Sequence, residues 1–465
     1  MATLIKNGII VTSGDTFKGD IYIENGVIAK IGIGLIEEAN EIIDANGKYV
    51  IPGGVDVHTH LNLDVGIAVA TDDFYTGTVA AACGGTTSIV DHLAFGPKGC
   101  DLHHQINLYH NYAKGNAVID YGFHGVIQHV NDNILQELEE LSYEGITSNK
   151  VYLTYDYKLS DLEVFKVLMK SKEIGILTAV HPENNDMVNY LRKYYSSNGF
   201  TSPIYHAKSR PICCEGESIN KMLNIANVAG DSPLYIVHLS CKLGLDYIKM
   251  AIDRGQKNVF TETCPQYLFL DESKYNGKNN EGLKYVMSPP LREKSNQDAL
   301  WKGIQDGYIQ VIATDHCPFN FNIEKQLGKD DFTKCPSGSP GIETRIPLIF
   351  SEGVMKKRIS LNKFIDLVST KPAKIFGLYP KKGTIAVGAD GDIVIIDPNK
   401  KVKITKSMLH ENVDYTPYEG FELQGYPIMT ISRGKIIAKD NKFIGEKGYG
   451  QFLKRKKIDF LMLNK

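Results

Sequence analysis

Neither sign of charge is in surplus: 52 Lys+Arg stand against 54 Asp+Glu, a formal net charge of -2. That balance gives no electrostatic reason to expect nucleic acid or an anionic membrane as a partner. The chain has no run of about 18 apolar residues, so no transmembrane helix is expected. The opening Met1-Ala2-Thr3-Leu4-Ile5-Lys6-Asn7-Gly8 is too briefly apolar for a signal peptide and leads straight into a strand pattern. None of the eight cysteines stands in a CxxC pair, and the adjacent Cys213 and Cys214 cannot easily bridge. Reduced thiols in a cytoplasmic protein are therefore expected. No GxGxxG follows an early strand, which removes the usual reason to expect an open dinucleotide-binding sheet. There is no internal repeat and no low-complexity segment. One charge run, Lys454-Arg455-Lys456-Lys457, reads as a solvated tail at a subunit contact.

What is present is a change of pattern along 465 residues, a length that suggests one large architecture with an accessory domain. The first fifty or so residues read as short strands. Ile21–Ile23 and Val27–Ile31 flank Glu24-Asn25-Gly26, a hairpin signal. From Gly53 apolar, strand-like runs alternate with helical stretches. The runs are Gly54–Val57, Thr86–Val90, Ile119–Ile127, Lys150–Thr154, Ile176–Val180, Leu234–Val237, Val259–Thr263 and Gln310–Ala313. Ile134–Tyr143, Asp161–Glu173 and Glu217–Ala229 have helical character. About eight β-then-α repeats over roughly 320 residues predict an α/β fold, a TIM (β/α)8 barrel. After Phe376 strands return, with a hairpin through Arg433-Gly434. The two ends look alike, so they are expected to form one small β-sandwich domain into which the barrel is inserted. The expected division is 1–52 and 377–440 for the β-domain, 53–376 for the barrel, and 441–465 for a tail making oligomer contacts.

The chemistry-bearing residues fall at the barrel strands, where such folds place their sites. His58 and His60, two apart in Val55-Asp56-Val57-His58-Thr59-His60, point to one side of an extended segment and can share a metal ion. Lys150 opens the fourth run, His181 ends the fifth, His238 the sixth and Asp315 the eighth. Singly, each has a dull explanation: a hydrogen-bonded core histidine, a snorkelling lysine, a helix cap. Together they favour a metal site, because independent structural residues have no reason to collect at one rim. Imidazole and carboxylate suit zinc, with manganese or iron less selectively matched. The donors are too many for one four-coordinate ion that must also hold water, so two fit better. An ammonium is a poor neighbour for dications. A neutral Lys150 amine that adds carbon dioxide becomes a carbamate able to bridge both. His92 and His316 follow aspartates and read as residues that orient ligands. His103, His104 and His110 read as solvated. His124, His129, His206 and His410 have no role assignable from sequence.

These motifs resemble the amidohydrolase superfamily, and within it the hydantoinase/dihydropyrimidinase family. The resemblance spans nearly the whole chain. It rests on Pro52-Gly53-Gly54 with Asp56 and His58-Thr59-His60, and on Gly84-Gly85-Thr86-Thr87. It rests also on Gly145-Ile146-Thr147-Ser148, Thr314-Asp315-His316, Pro340-Gly341-Ile342-Glu343 and Gly388-Ala389-Asp390-Gly391-Asp392. The stretches 123–129 and 153–159 are most similar to the branch that acts on aromatic D-hydantoins.

The resemblance implies His58, His60 and Asp315 on the more buried of two divalent ions, and His181 and His238 on the other. Lys150, as N6-carboxylysine, bridges them. It implies Tyr155 on the substrate carbonyl oxygen, and Ser288 and Ser337 on the ring amide. Ser337 stands where the family has asparagine, and Asn149 where it usually has an aromatic residue. It implies that the metal ions activate a water for attack on the ring amide of 5-substituted hydantoins. The products are N-carbamoyl-D-amino acids, with Asp315, Tyr155 and Lys150 serving catalysis. It implies a zinc enzyme, homotetrameric and cytoplasmic, whose partner is a small cyclic amide, with neither nucleic acid nor membrane. Leu63, Phe95, Tyr152 and Tyr155 are placed to line an apolar pocket for the ring substituent, with the equal alternative that Leu63 and Phe95 simply pack the loop bases. Dihydropyrimidinase activity on dihydrouracil or dihydrothymine is the alternative. A catalytically silent oligomeric scaffold is the remote one, disfavoured because all six ligand positions are kept.

Overall fold

The computed structural model describes residues 2–459. Strands β1 (Ala2–Val11), β2 (Thr16–Glu24), β3 (Val27–Gly32), β4 (Glu41–Asp44) and β5 (Tyr49–Pro52) come first. Eight barrel strands follow: β6 (Gly54–Thr59), β7 (Thr86–His92), β8 (Asp120–Val126), β9 (Ser148–Tyr152), β10 (Leu177–His181), β11 (Leu234–Ile236), β12 (Val259–Thr263) and β13 (Val311–Ile312). Then come β14 (Ile393–Lys403), β15 (Glu422–Ser432), β16 (Lys435–Lys439) and β17 (Lys442–Phe443).

Strands β6 to β13 form one parallel sheet in chain order, each pairing with the next. Every residue of β6 through β13 is buried. That is why they read as continuous apolar runs rather than as alternating ones: helices cover one face and the barrel interior the other. The intervening helices carry their own stop and start signals. Asp161–Ile174 begins at a reciprocal Ser160–Glu163 capping box and ends at Gly175 in the left-handed conformation.

The ends of the sheet close through side chains and backbone. Asp56 on β6 accepts hydrogen bonds from Thr314 N (3.2 Å) and Thr314 Oγ1 (2.7 Å), just past β13. Arg345, fully buried, donates to Val55 O and Ile312 O, both at 3.0 Å, and lies 3.6 Å from Asp56. The backbone continues the seam, with Asp315 N on His58 O and His60 N on His316 O, each at 2.9 Å.

The other nine strands form one mostly antiparallel sheet drawn from both chain ends, in which β5 pairs with β14. It curls until its hairpins meet: Gly391 N donates to Gly26 O and Thr3 Oγ1 to Gly434 O, around an isoleucine-rich core. The sheet is fastened beneath the barrel by a buried charge cluster. Lys382 Nζ lies 2.6 Å from Asp120 at the start of β8, 2.7 Å from Asp392 and 2.9 Å from Asp390. Arg433 adds a further pair to Asp120 at 2.8 Å.

The tail departs from expectation. Residues 451–458 do not hang free. Tyr121 N donates to Gln451 O, Leu453 N to Tyr121 O, Arg455 N to Gly145 O and Ile458 N to Gly175 O. The segment thus runs under the N-terminal ends of the barrel strands. A side chain at Gly377 would lie 1.9 Å from Lys456 O, so only glycine admits the tail there. Arg455 is buried, with its guanidinium on Phe123 O, so the basic run is a solvated face only at Lys454 and Lys456. Of the tail, residues 460–465 lie outside the described residues.

Replacing Lys382 with Met leaves three buried aspartates short of their shared cation. The expected loss is about 3–5 kcal/mol of unfolding free energy, as for other broken buried ion pairs. Urea denaturation of the variant reads it directly, and a loss below about 1 kcal/mol would show that the cluster is not a fastening.

Candidate metal centre

The predicted ligands converge at the C-terminal mouth of the barrel. His58 and His60 leave β6 on the same side. Their Nε2 atoms lie 3.0 and 3.2 Å from Asp315 Oδ1. One donor atom from each of the three lies within 4.8 Å of the other two. His238 Nε2 faces His181 Nδ1 at 2.9 Å, and the His58 and His238 rings stack at 5.5 Å. Lys150 occupies the middle of β9 rather than its start, buried, with Nζ 5.5 Å from the Tyr152 ring.

The backbone at these positions is unusual. Tyr155 (φ 72), His238 (φ 39) and Asp315 (φ 54) all adopt left-handed conformations that non-glycine residues seldom take. Three such residues among the predicted site positions mark strain held in place by surrounding structure, as occurs at functional sites.

Donor chemistry and orientation fit metal ions. Glu262 Oε1 takes His58 Nδ1 at 2.6 Å, and the same carboxylate binds His238 N and Tyr235 Oη, both at 3.0 Å. Glu183 takes His181 Nε2 at 2.8 Å and pairs with Arg210 at 2.5 Å. Each carboxylate occupies one ring nitrogen, leaving the other turned into the centre, the arrangement that prepares an imidazole as a ligand. Buried Nδ1 atoms of His60 and His238 have no hydrogen-bond partner among the described residues. Burial alone would raise Glu183, but Arg210 and His181 hold it down to about 2, so it stays ionised. Burial lowers the Lys150 ammonium to about 8, with Glu262 and Asp315 opposing that only in part. Asp315 pairs with His58 and His60 and leaves Lys150 without an ion pair to it. A buried amine that holds its proton less tightly than usual, beside a histidine cluster, is compatible with conversion to a carbamate.

Residues expected to contact substrate gather beside this centre. The Tyr155 ring lies 5.3 Å from His181 and 6.0 Å from the Arg210 guanidinium. Ser288 Oγ and Ser337 Oγ are 2.9 Å apart, so the two predicted ring contacts form one cradle. Phe95 packs on Tyr152 (4.9 Å) and on Tyr157 (4.5 Å). Leu63 packs against Ala70, Cys317 and Phe319 at a loop base and also against the main core.

The remaining histidines divide cleanly. His92 stacks at 4.0 Å on His124, 4.4 Å from His58, and both are buried. His316 binds Asp72 at 3.0 Å and accepts from Gly341 N at 3.1 Å, bracing the loop after β13. His103 and His110 are only partly solvated; His110 packs on Phe452 of the tail at 4.6 Å. Glu262, Glu183 and Arg210 stand in no motif that marks them in the sequence. Glu262 lies at the end of a recognised strand, the one cue that could have found it.

Residues 49–437 match the model of the Amidohydrolase family. A D-phenylhydantoinase of Escherichia coli O1:K1 is 53% identical over 457 residues, 98% of each chain. The solved dihydropyrimidinase of Brevibacillus agri superposes with a TM-score of 0.97 at 47% identity, covering 99% of this chain and 100% of that one. The D-hydantoinase of Bacillus sp. AR9 superposes with a TM-score of 0.96 at 48% identity, covering 98% and 99%. With the family model spanning most of its length and relatives similar from end to end, this chain belongs to the amidohydrolase family.

Proposed function

We propose that this chain is a metal-dependent cyclic amidase of the D-phenylhydantoinase type. It opens the ring amide of 5-substituted hydantoins, aromatic D-hydantoins above all, to N-carbamoyl-D-amino acids. The observation that carries the reading is the convergence of His58, His60, Lys150, His181, His238 and Asp315 on one barrel mouth, in a chain 53% identical to a D-phenylhydantoinase.

On this reading His58, His60 and Asp315 would hold one divalent ion and His181 and His238 a second, and carboxylated Lys150 would serve both. Two ions are favoured because six donors exceed what one four-coordinate site takes, and zinc because the donors are imidazole and carboxylate. Such ions would supply Lewis acidity and a water acidified to near ~7. The protein's own groups do the rest. The Tyr155 hydroxyl, pushed up to about 12 by burial, stays protonated and donates to the carbonyl oxygen as negative charge develops there. Asp315 takes the proton of the attacking water and returns it to the leaving ring nitrogen. Ser288 and Ser337 hold the ring amide, Ser337 through backbone atoms in place of the family's asparagine. Glu262 and Glu183 fix the tautomers of His58 and His181. The enzyme is taken to be a cytoplasmic homotetramer, and its eight free cysteines suit a reducing compartment.

A solved relative of 47% identity bears the name dihydropyrimidinase, which favours dihydrouracil or dihydrothymine as the second reading. Metal-loaded protein should cleave D-5-phenylhydantoin faster than its L-enantiomer and faster than dihydrouracil, allantoin or dihydroorotate in a side-by-side assay. A dihydrouracil preference would move the protein to pyrimidine ring opening with the same site. Lys150→Ala should abolish turnover and lower metal content. Full metal together with full turnover in that variant would sink the ligand assignment.

The pH dependence follows from Lys150. In metal-free protein its amine is neutral above about 8 and charged below. At fixed dissolved carbon dioxide, recovery of activity on adding zinc should slow roughly tenfold for each pH unit below that point. A recovery rate unchanged between about pH 6 and about pH 8 would rule out a carbamate formed from the free amine.

A further inference from the structure

A second group of metal-binding side chains lies apart from the barrel mouth. Cys83 ends the helix Thr76–Cys83, Glu343 sits in the loop after Pro340, and His410 lies in the segment leading to β15. One donor atom from each falls within 4.8 Å of the other two. His410 Nδ1 is 2.8 Å from Glu343 Oε1, and His410 N donates to Glu343 Oε2 at 2.6 Å. The approach of helix to loop depends on Gly84, where any Cβ would lie 2.3 Å from Glu343 O. Cys83 and Glu343 are buried, whereas the His410 side chain is 26% exposed and gives the cluster its contact with solvent.

Two further observations point to a ligand. Glu411 Oε2 and Tyr426 Oη are buried and without a hydrogen-bond partner among the described residues. The Tyr426 hydroxyl is within electrostatic reach of Glu343, Cys83 and Glu411. Glu411 Oε1 in turn accepts from Glu343 N at 3.3 Å. Two buried carboxylates, a thiol and an orphaned hydroxyl are therefore packed together, with the His410 imidazole on Glu343 and the His316 imidazole 3.9 Å from Glu411. Groups of this kind are seldom left without a partner, because burying unpaired polar atoms is costly.

We propose that Cys83, Glu343 and His410 form a second divalent-cation site, separate from the barrel-mouth centre and selective for a zinc-class ion. Sulfur, carboxylate and imidazole are the donors of four-coordinate zinc sites, with a water completing the set. The thiol disfavours magnesium and calcium, which take oxygen ligands. On binding, Cys83 gives up its thiol proton to solvent and becomes a thiolate, and the hydrogen bond between His410 and Glu343 is exchanged for two bonds to the ion. The dication offsets the charges of Cys83 and Glu343.

The site has a mechanical consequence. His410 begins a segment that grips two loops of the barrel mouth. Asn412 N donates to Asp72 Oδ1 at 2.9 Å and Asn412 Nδ2 to Thr71 O at 2.8 Å. Asp414 accepts from Phe321 N at 2.6 Å and Asn322 N at 2.9 Å. An ion joining His410 to Cys83 and Glu343 therefore pins that segment, and the loops it holds, to the barrel wall.

The test uses the full chain with its barrel-mouth centre first filled with zinc, then titrated with cobalt(II). The barrel-mouth ligands include no sulfur, so a thiolate-to-cobalt charge-transfer band in the near ultraviolet reports this site and not that one. The band should saturate near one equivalent per chain, vanish in Cys83→Ser, and require at least about tenfold more cobalt in His410→Ala. No band in the wild-type protein, or a band that survives in Cys83→Ser, overturns the proposal. His410→Ala, altered at a partly exposed position, keeps the test decisive should Cys83→Ser fail to fold. Turnover is not the readout, so the outcome stands whatever substrate the barrel mouth takes.

Discussion

Closure of the barrel between β6 and the segment after β13 is the constraint on which the site depends. His58 and His60 belong to one side of that seam and Asp315 to the other, some 255 residues apart in sequence. Two backbone hydrogen bonds flank them, and Asp56 and Arg345 hold the strands together below. The separation of about 3 Å between Asp315 and both imidazoles is a product of that register. A slip by one residue would turn Asp315 out of the barrel altogether.

Around the seam, orientation is handled by buried carboxylates. Glu262 serves His58, the backbone of His238 and Tyr235 at once, so one side chain couples both halves of the centre. Glu183 serves His181 and is itself kept charged by Arg210. The cost of burying these charges is offset because each is paired or multiply hydrogen-bonded. Lys150 lies buried among these groups, and burial lowers its affinity for a proton more than the charges of Glu262 and Asp315 raise it.

Much of this was legible in the chain. The barrel strands announce themselves because burial on both faces makes each a short apolar run, and Val259–Thr263 is found with its bounds intact. The histidines and Asp315 announce themselves because residue type and position at a strand end coincide. Glu262 and Glu183 lack such a signature: a carboxylate beside a strand end is common, and its partner is revealed only when strands are juxtaposed. Arg345 hides for a similar reason, since its partners lie 33 and 290 positions away. The tail departs from the usual pattern because charge runs usually face water, whereas Arg455 finds the Phe123 carbonyl and the Phe376 ring beneath the barrel.

The pairing of β5 with β14 has a consequence for biosynthesis. Strands β1 to β5 leave the ribosome first, yet the edge that β5 presents is filled only by a strand starting at Ile393. Until then a row of unpaired backbone groups on apolar strands stands open to other nascent chains. The entire barrel must be translated in that interval, and its own seam closes only when β13 arrives. Completion of this enzyme is therefore a late event in translation, and the molecule is most vulnerable to misassociation while its catalytic half is still being made.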